Sequence, residues 1–233
     1  LVTGAAQGIG RGIVRAFHAS GARVLVCDMD EGGLATVEGA THAKAVDLAN
    51  RDAVQAYAAE LAASALTPSI VVNAAGGTRG QAGAPLADVR QADWRVVFEA
   101  NVETMLWGAQ ACLPAMVEDG RGRIVAIASG AGLRPTLTGI QAYSGAKHAL
   151  VGLVRQLAME FGPAGVTVNA VAPGFVRSNP VTERQWEAMG PAGQARLMTS
   201  IHPRRLGTPR SPCGGGRLAR RAGGTHLPRL RPL

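Results

Sequence analysis

Tyr143 and Lys147 stand four residues apart in a stretch of helical period, 141–161, so their side chains share one helix face. A free phenol ionises at about pH 10, but a cation a few ångströms away favours phenolate and brings proton transfer toward neutrality. Lysine supplies such a cation. A tyrosine and a lysine at this spacing are more often a plain helix surface, so the rest of the chain has to give the pair its meaning.

A second group of residues suits phosphate. Thr3, Gly4, Ala5, Ala6, Gln7, Gly8, Ile9 and Gly10 lie between a short apolar run and a helix-period segment. Glycines there let backbone N–H groups approach a pyrophosphate at the positive end of a helix. Eighteen residues beyond Gly10, Asp28 ends the next apolar run, where a carboxylate can accept hydrogen bonds from a ribose diol. The same carboxylate repels a 2′-phosphate, and Gln7, Met29 and Asp30 offer no cation to attract one. NAD is therefore expected over NADP. Asp47 is a weaker candidate for the adenine amino group and equally a cap for a helix beginning near Asn50. No metal is expected, since His18, His42, His148, His202 and His226 have no ligand spacing and Cys27, Cys112 and Cys213 lie far apart.

Positioning these residues requires a sheet with helices between its strands. Six apolar, β-branched runs are read as strands at 1–3, 23–27, 43–46, 70–73, 123–128 and 166–171, alternating with helix-period segments. Ile9, Ile13 and Phe17 form one apolar stripe ended by Gly21, and Val54, Ala58, Leu61 and Ala65 form another. Trp94, Phe98 and Val102 are read as core aromatics and aliphatics of a helical stretch before Pro114. Residues 30–40 are Gly-interrupted and poor in helix formers. The expected fold is α/β: a Rossmann-type doubly wound parallel sheet in three α/β/α layers.

With Asn73-Ala74-Ala75-Gly76, Asn101, Ser129 and Pro173-Gly174 added, the motifs appear in the order seen in one family. Over residues 1–209 the chain resembles the compact short-chain dehydrogenases/reductases. That resemblance implies reversible hydride transfer between NAD(P) and a secondary alcohol or ketone. It implies that Tyr143 is the acid/base, that Lys147 lowers its pKa and binds the nicotinamide ribose, and that Ser129 hydrogen-bonds the substrate oxygen. Asn101 would hold a water of the proton relay, the segment from Asn73 through Ala74 to Gly76 would steady the sheet beside the adenine ribose, and Pro173-Gly174 would turn beside the nicotinamide. Residues 175–198 would form a substrate lid. A carrier-protein 3-oxoacyl reductase and a catalytically impaired cofactor-binding remnant are the alternatives. Ser129 precedes Tyr143 by fourteen residues rather than the family's common thirteen, an extra residue assigned to the loop 133–139.

The net charge of +8 does not indicate nucleic acid. Eight arginines, with no lysine and no acid, fall within 203–233; the remaining 16 basic residues balance the 16 acidic ones. No run approaches the eighteen or so apolar residues of a membrane helix. A soluble cytoplasmic enzyme is expected, acting on a small-molecule alcohol or ketone as a homo-dimer or tetramer by resemblance. One catalytic domain is expected over 1–209 and an irregular Arg/Gly/Pro-rich tail over 210–233. The short first strand is read as lacking an N-terminal piece, and the abrupt change after Pro209 as a reading-frame shift that removes the family's final strand.

Overall fold

The computed structural model describes residues 1–81, 83–135, 139–201 and 204–208. Its strands are β1 (Val2–Thr3), β2 (Leu25–Asp28), β3 (His42–Ala45), β4 (Ile70–Asn73), β5 (Gly122–Ile127) and β6 (Val166–Val171). They form one parallel sheet in the order β3-β2-β1-β4-β5-β6. The chain winds outward from β1 in one direction through β3 and in the other from β4 to β6. The switch lies between β1 and β4, where Thr3 pairs with Asn73. No seventh strand is found among the described residues, and the tail 209–233 lies outside them together with Cys213 and His226.

The helices are α1 (Gly8–Ala19), α2 (Glu31–Leu34), α3 (Arg51–Ala63), α4 (Gln91–Phe98), α5 (Thr104–Glu118), α6 (Gln141–Phe161), α7 (Pro180–Ala188) and α8 (Gly190–Ser200). Alternation along the strands divides the core between two faces. Val2, Val26, Val72 and Val125 pack with Ile13, Val14 and Phe17 of α1. Cys27 packs with Val54, Tyr57 and Leu61 of α3, while Val71 and Ile124 pack with Met105 of α5 and Leu150 of α6. The sheet is thus the middle of three layers, as expected.

Several local expectations change. Trp94 is 39% exposed and not core; it stacks on Phe98 at 4.8 Å, over Gly145 of α6. Tyr57, absent from the stripe read on α3, is buried, while Ala65 leaves the helix with φ +54°. Helix α5 passes through Pro114 to Glu118, because burial of Leu113 and Met116 outweighs the one lost N–H bond. Residues 30–40 do hold a helix, but only the four-residue α2, capped by Asp30 accepting from Gly33 N–H.

The turn after β1 is held by contacts that exclude side chains. A Cβ at Gly10 would lie 2.0 Å from the Gly4 carbonyl oxygen, and Gly4, at φ +63°, has the Ala74–Ala75 backbone within 2.6–2.8 Å of the same position. Gly108 on α5 has nothing within 4 Å of a built Cβ. Replacing Gly10 by Ala is therefore expected to lower unfolding free energy by at least about 2 kcal/mol. Gly108→Ala is expected to raise it by up to about 1 kcal/mol through helix propensity. Denaturant midpoints of the two variants check the contrast.

Candidate active site

All six strands are parallel, so their carboxyl ends lie along one edge of the sheet, and the residues singled out for chemistry collect there. Gly4 follows β1, Asp28 ends β2, Asp47 lies two residues past β3, Asn73 ends β4, Ser129 lies two past β5 and Pro173-Gly174 lies two past β6. An edge of this kind, at a switch in strand order, is where open α/β sheets bind ligands.

Beside β1, the first turn of α1 opens at Gly8, and its N-cap residue Gln7 makes no side-chain cap. The N–H groups around Gly8, Ile9 and Gly10 are thereby left for an anion at a positive helix end. The Asp28 carboxylate accepts from Ala6 N–H at 3.0 Å and from Asp30 N–H at 3.2 Å, one bond to each oxygen. Each oxygen keeps a further lone pair for a diol. Asp47 accepts from Ala49 N–H, and Asn50 itself caps α3 by accepting from Ala53 N–H. The helix-cap alternative for Asp47 is thus excluded.

At the switch point the Thr3 hydroxyl donates to Asn73 Oδ1 at 2.7 Å and accepts from Ala75 N–H at 3.2 Å. The following segment is clamped by Asn101, which is fully buried. Its Oδ1 accepts from Gly77 N–H at 3.0 Å, and its Nδ2 donates to the Gly77 and Val97 carbonyls at 2.8 and 2.7 Å. Gly76 is obligatory there, since a Cβ would lie 2.5 Å from Asn101 Oδ1. Asn101 sits in a π-helical turn, Glu99–Glu103, between α4 and α5. Both protons of its Nδ2 are donated to protein carbonyls, and its Oδ1 accepts one bond.

Tyr143 and Lys147 lie one turn apart on α6, and the segment after β5 is stitched against that helix. Ser129 caps the short 3₁₀ turn Gly130–Gly132 by accepting from Ala131 N–H, and Ser144 donates to the Ala131 carbonyl. A Cβ at Gly132 would lie 2.6 Å from the Lys147 carbonyl oxygen. Pro173 contributes its carbonyl, which accepts from Gly130 N–H at 3.0 Å. These contacts hold the Ser129 hydroxyl on the side of the turn nearest the Tyr143 phenol. Residues 136–138 of the extended loop lie outside the described residues.

The electrostatics differ from the simple pairing read from spacing. Burial pushes the Tyr143 phenol above its ordinary pKa, and the hydrogen bond with Ser129 opposes that shift. Burial pulls Lys147 down to about 7 while its Nζ donates to the Ile127 carbonyl at 2.8 Å, 5.6 Å from the Tyr143 ring centre. Desolvation thus outweighs the help a distant cation gives, and spacing alone does not produce a phenolate.

Two residues not identified from sequence complete the edge. Ser178 Oγ and Asn179 Nδ2 lie 3.4 and 3.5 Å from the position of a Cβ on Gly8, so the start of α7 faces the glycine turn. Asn179 and Thr182 form a capping box with Pro180 at the first helical position, a signature readable in the sequence as a helix start. Farther on, Phe175 stacks on Trp186 and Arg177 pairs with Glu183 within 175–198. Arg11 is a cation the reading of the turn overlooked; it donates to the Gly33 carbonyl and the Thr36 hydroxyl.

Residues 1–189 match the model of the short chain dehydrogenase family. The chain belongs to that family. As a short-chain dehydrogenase it is an oxidoreductase of CH–OH groups that works with NAD(P). It is 39% identical over 213 residues to a galactitol 2-dehydrogenase (L-tagatose-forming) of Cereibacter sphaeroides, covering 83% of this chain and 80% of that one. It is also 39% identical over 213 residues to a 2,5-dichloro-2,5-cyclohexadiene-1,4-diol dehydrogenase of Sphingobium indicum, covering 87% and 81%. Among solved structures, an actinorhodin polyketide ketoreductase with NADPH is similar at a TM-score of 0.85 and 30% identity, covering 96% of this chain and 89% of that one. No helix among this dehydrogenase's described residues is long and apolar enough to cross a membrane, and none of those residues form a cluster that could hold a metal.

The depressed Lys147 has a signed consequence. Between about pH 7 and its ordinary 10.5 the unfolded chain binds a proton that the folded chain does not, so this lysine makes unfolding free energy rise with pH. Unfolding of the wild type and of Lys147→Met, compared from pH 6.5 to 9.5, is expected to show the wild type gaining relative to the variant as pH rises. A constant difference across that range would contradict the burial-driven shift.

Proposed function

We propose that this short-chain dehydrogenase interconverts a secondary alcohol and its ketone with NAD through Ser129, Tyr143 and Lys147. The observation that carries the reading is the buried Lys147 amine 5.6 Å from the Tyr143 ring, with the turn that begins at Ser129 tied to the same helix through Ser144. In the reducing direction the Tyr143 hydroxyl donates its proton to the substrate oxygen, and in the oxidising direction the same oxygen takes it back. Ser129 Oγ–H orients that substrate oxygen and stabilises the charge developing on it. Lys147 stands behind the phenol, where a protonated Nζ stabilises the phenolate left after donation. Asn101 acts through the segment it clamps at Gly77.

The residues present fit a nicotinamide dinucleotide. Glycines at 4, 8 and 10 leave a cradle that side chains would fill, the N-terminus of α1 lacks a side-chain cap, and Asp28 faces the turn. Gly4, Gln7, Gly8, Ile9 and Gly10 would hold the pyrophosphate, with Ser178 opposite Gly8. Asp28 would hold the adenosine ribose, Asp47 the adenine, and Asn73, Ala74 and Gly76 the floor beside them. Tyr143, Lys147, Pro173 and Gly174 would line the nicotinamide end. Nicotinamide supplies and accepts the hydride when bound. The preference for NAD over NADP is supported by the Asp28 carboxylate fixed beside the turn and by Arg11 being engaged with Gly33 and Thr36.

A polyol or ring diol is the substrate class the two enzyme relatives suggest, and Phe175 and Trp186 beside Arg177 and Glu183 suit such a mixed apolar and polar surface. Exposed Trp94, Val117 and Met159 on α4, α5 and α6 support a homo-oligomer. Two buried free cysteines, Cys27 and Cys112, suit a cytoplasmic setting.

Reduction of NAD, followed by absorbance against a panel of polyols, ring diols and sugars, tests the reading. Tyr143→Phe is expected to lose turnover by about a thousandfold or more, within the range for a positioned acid/base, while NAD affinity changes less than about threefold. Unchanged turnover in that variant contradicts the role. Asp28→Ser is expected to weaken NAD and favour NADP, read as a reversal in the ratio of kcat/KM for the two cofactors.

A further inference from the structure

Helix α2 is poorly made to hold itself: two of its four residues are glycine, and a helix this short is marginal without outside support. Yet it closes one side of the Asp28 carboxylate. Asp28 Oδ1 accepts from Asp30 N–H at 3.2 Å, and Asp30 Oδ1 accepts from Gly33 N–H at 2.8 Å. A Cβ on Gly33 would lie 2.8 Å from the Cβ of Ala6, whose N–H donates to Asp28 Oδ2. Arg11 of α1 reaches across to this segment. Its Nη2 donates to the Gly33 carbonyl at 2.9 Å and to the Thr36 hydroxyl at 2.6 Å, and that hydroxyl donates in turn to the Gly33 carbonyl at 2.8 Å. Among the described residues, Arg11 is the one side chain outside 28–36 that hydrogen-bonds to 30–36. Its Nε is buried without a partner, so the guanidinium is held by neutral acceptors beside α2 at the cost of an unsatisfied donor.

We propose that Arg11 is a positioning residue for Asp28 and through it sets the preference for NAD over NADP, an inference that rests on the ribose role proposed above for Asp28. Arg11 fixes the Gly33 carbonyl and so keeps α2 wound; the wound helix keeps Asp30 at its cap, and Asp30 N–H keeps the Asp28 carboxylate turned toward the glycine turn. A carboxylate held on both oxygens loses little freedom when it takes the two hydroxyls of a diol, and it cannot swing away from a 2′-phosphate that it repels. Without Arg11, α2 frays and one oxygen of Asp28 is released. NAD is then held less well and NADP is excluded less well. A cation acting directly on the phosphates of the cofactor predicts the reverse for selectivity, since NADP carries the greater negative charge.

Calorimetric titration of the full chain with NAD and with NADP tests this without turnover. Arg11→Met keeps a long side chain and removes its donors. The expected result is a Kd for NAD raised about tenfold, the worth of one hydrogen bond, with the affinity ratio of NAD to NADP lowered by a similar factor. Arg11→Lys, whose ammonium can donate to the same acceptors, is expected to recover most of both. Adding Arg11→Met to Asp28→Ala is expected to cost nothing further. If Arg11→Met does not fold, Thr36→Val, which removes one acceptor of Arg11 at an exposed position, takes its place. A greater loss of NADP than of NAD affinity, or an Arg11→Met effect of undiminished size in the Asp28→Ala background, overturns the inference. Unchanged NAD affinity in Arg11→Met, where Asp28→Ala weakens NAD, also overturns it and leaves the ribose role standing. Unchanged NAD affinity in Asp28→Ala overturns the ribose role and the inference with it.

Discussion

The hydrogen bond between the Thr3 hydroxyl and Asn73 Oδ1 spans the place where the sheet changes its direction of winding, and the rest of the binding edge is registered from it. β1 and β4 are neighbours in the sheet but seventy residues apart in sequence. Between β1 and β4 come α1, α2 and α3, and the long closure among them favours no particular alignment of the two strand ends. The hydroxyl fixes that alignment twice, by donating to Asn73 and by accepting from Ala75 N–H. With Ala74 and Ala75 so placed, Gly4 has room only for a hydrogen, and Gly10 can bring α1 onto the Gly4 carbonyl. The order of dependence runs from a side-chain bond, to two backbone approaches, to the angle at which a helix presents its first N–H groups.

On the other side of the switch the governing constraint is burial. Lys147 and Tyr143 are withdrawn from water by the turn after β5 and by Val97 and Phe98 beneath α6. That removal weakens the charged form of each group. The Ile127 carbonyl satisfies one proton of the amine without stabilising its charge as a carboxylate would. Burial thus sets the amine near the balance between its charged and neutral forms and leaves the phenol holding its proton.

The features legible in the sequence were those encoded by local periodicity or by motif. Strands of alternating or continuous Val and Ile, the stripe through Ile13 and Phe17, and the glycines after β1 all declare themselves within a dozen residues. What escaped was set by distant packing. Trp94 looked like core because an aromatic at helical spacing usually is, yet Gly145, fifty-one residues away, leaves a shallow seat that shields only one side of the ring. The occupied state of the Asn101 amide depends on Gly77, and the approach of Ser178 to Gly8 depends on β6 returning to the sheet beside β5. A four-residue spacing gave Tyr143 and Lys147 a common face; how deeply that face is buried, which decides their ionisation, was not local information.

The π-helical turn at Glu99–Glu103 carries one more residue than an α-helix would need to cover the same rise. It acts as a phase shifter between α4, whose Val97 supports α6, and α5, whose Met105 packs into the core with Val71 and Ile124. Removing a single residue there would restore uninterrupted α-helical winding and rotate everything on one side by about 100° relative to the other. Either Val97 or Met105 would then leave its contacts. Asn101 apart, this stretch should consequently tolerate changes of side chain far better than changes of length, so a gap in it would be a sensitive mark of a relative whose inner helix packs differently.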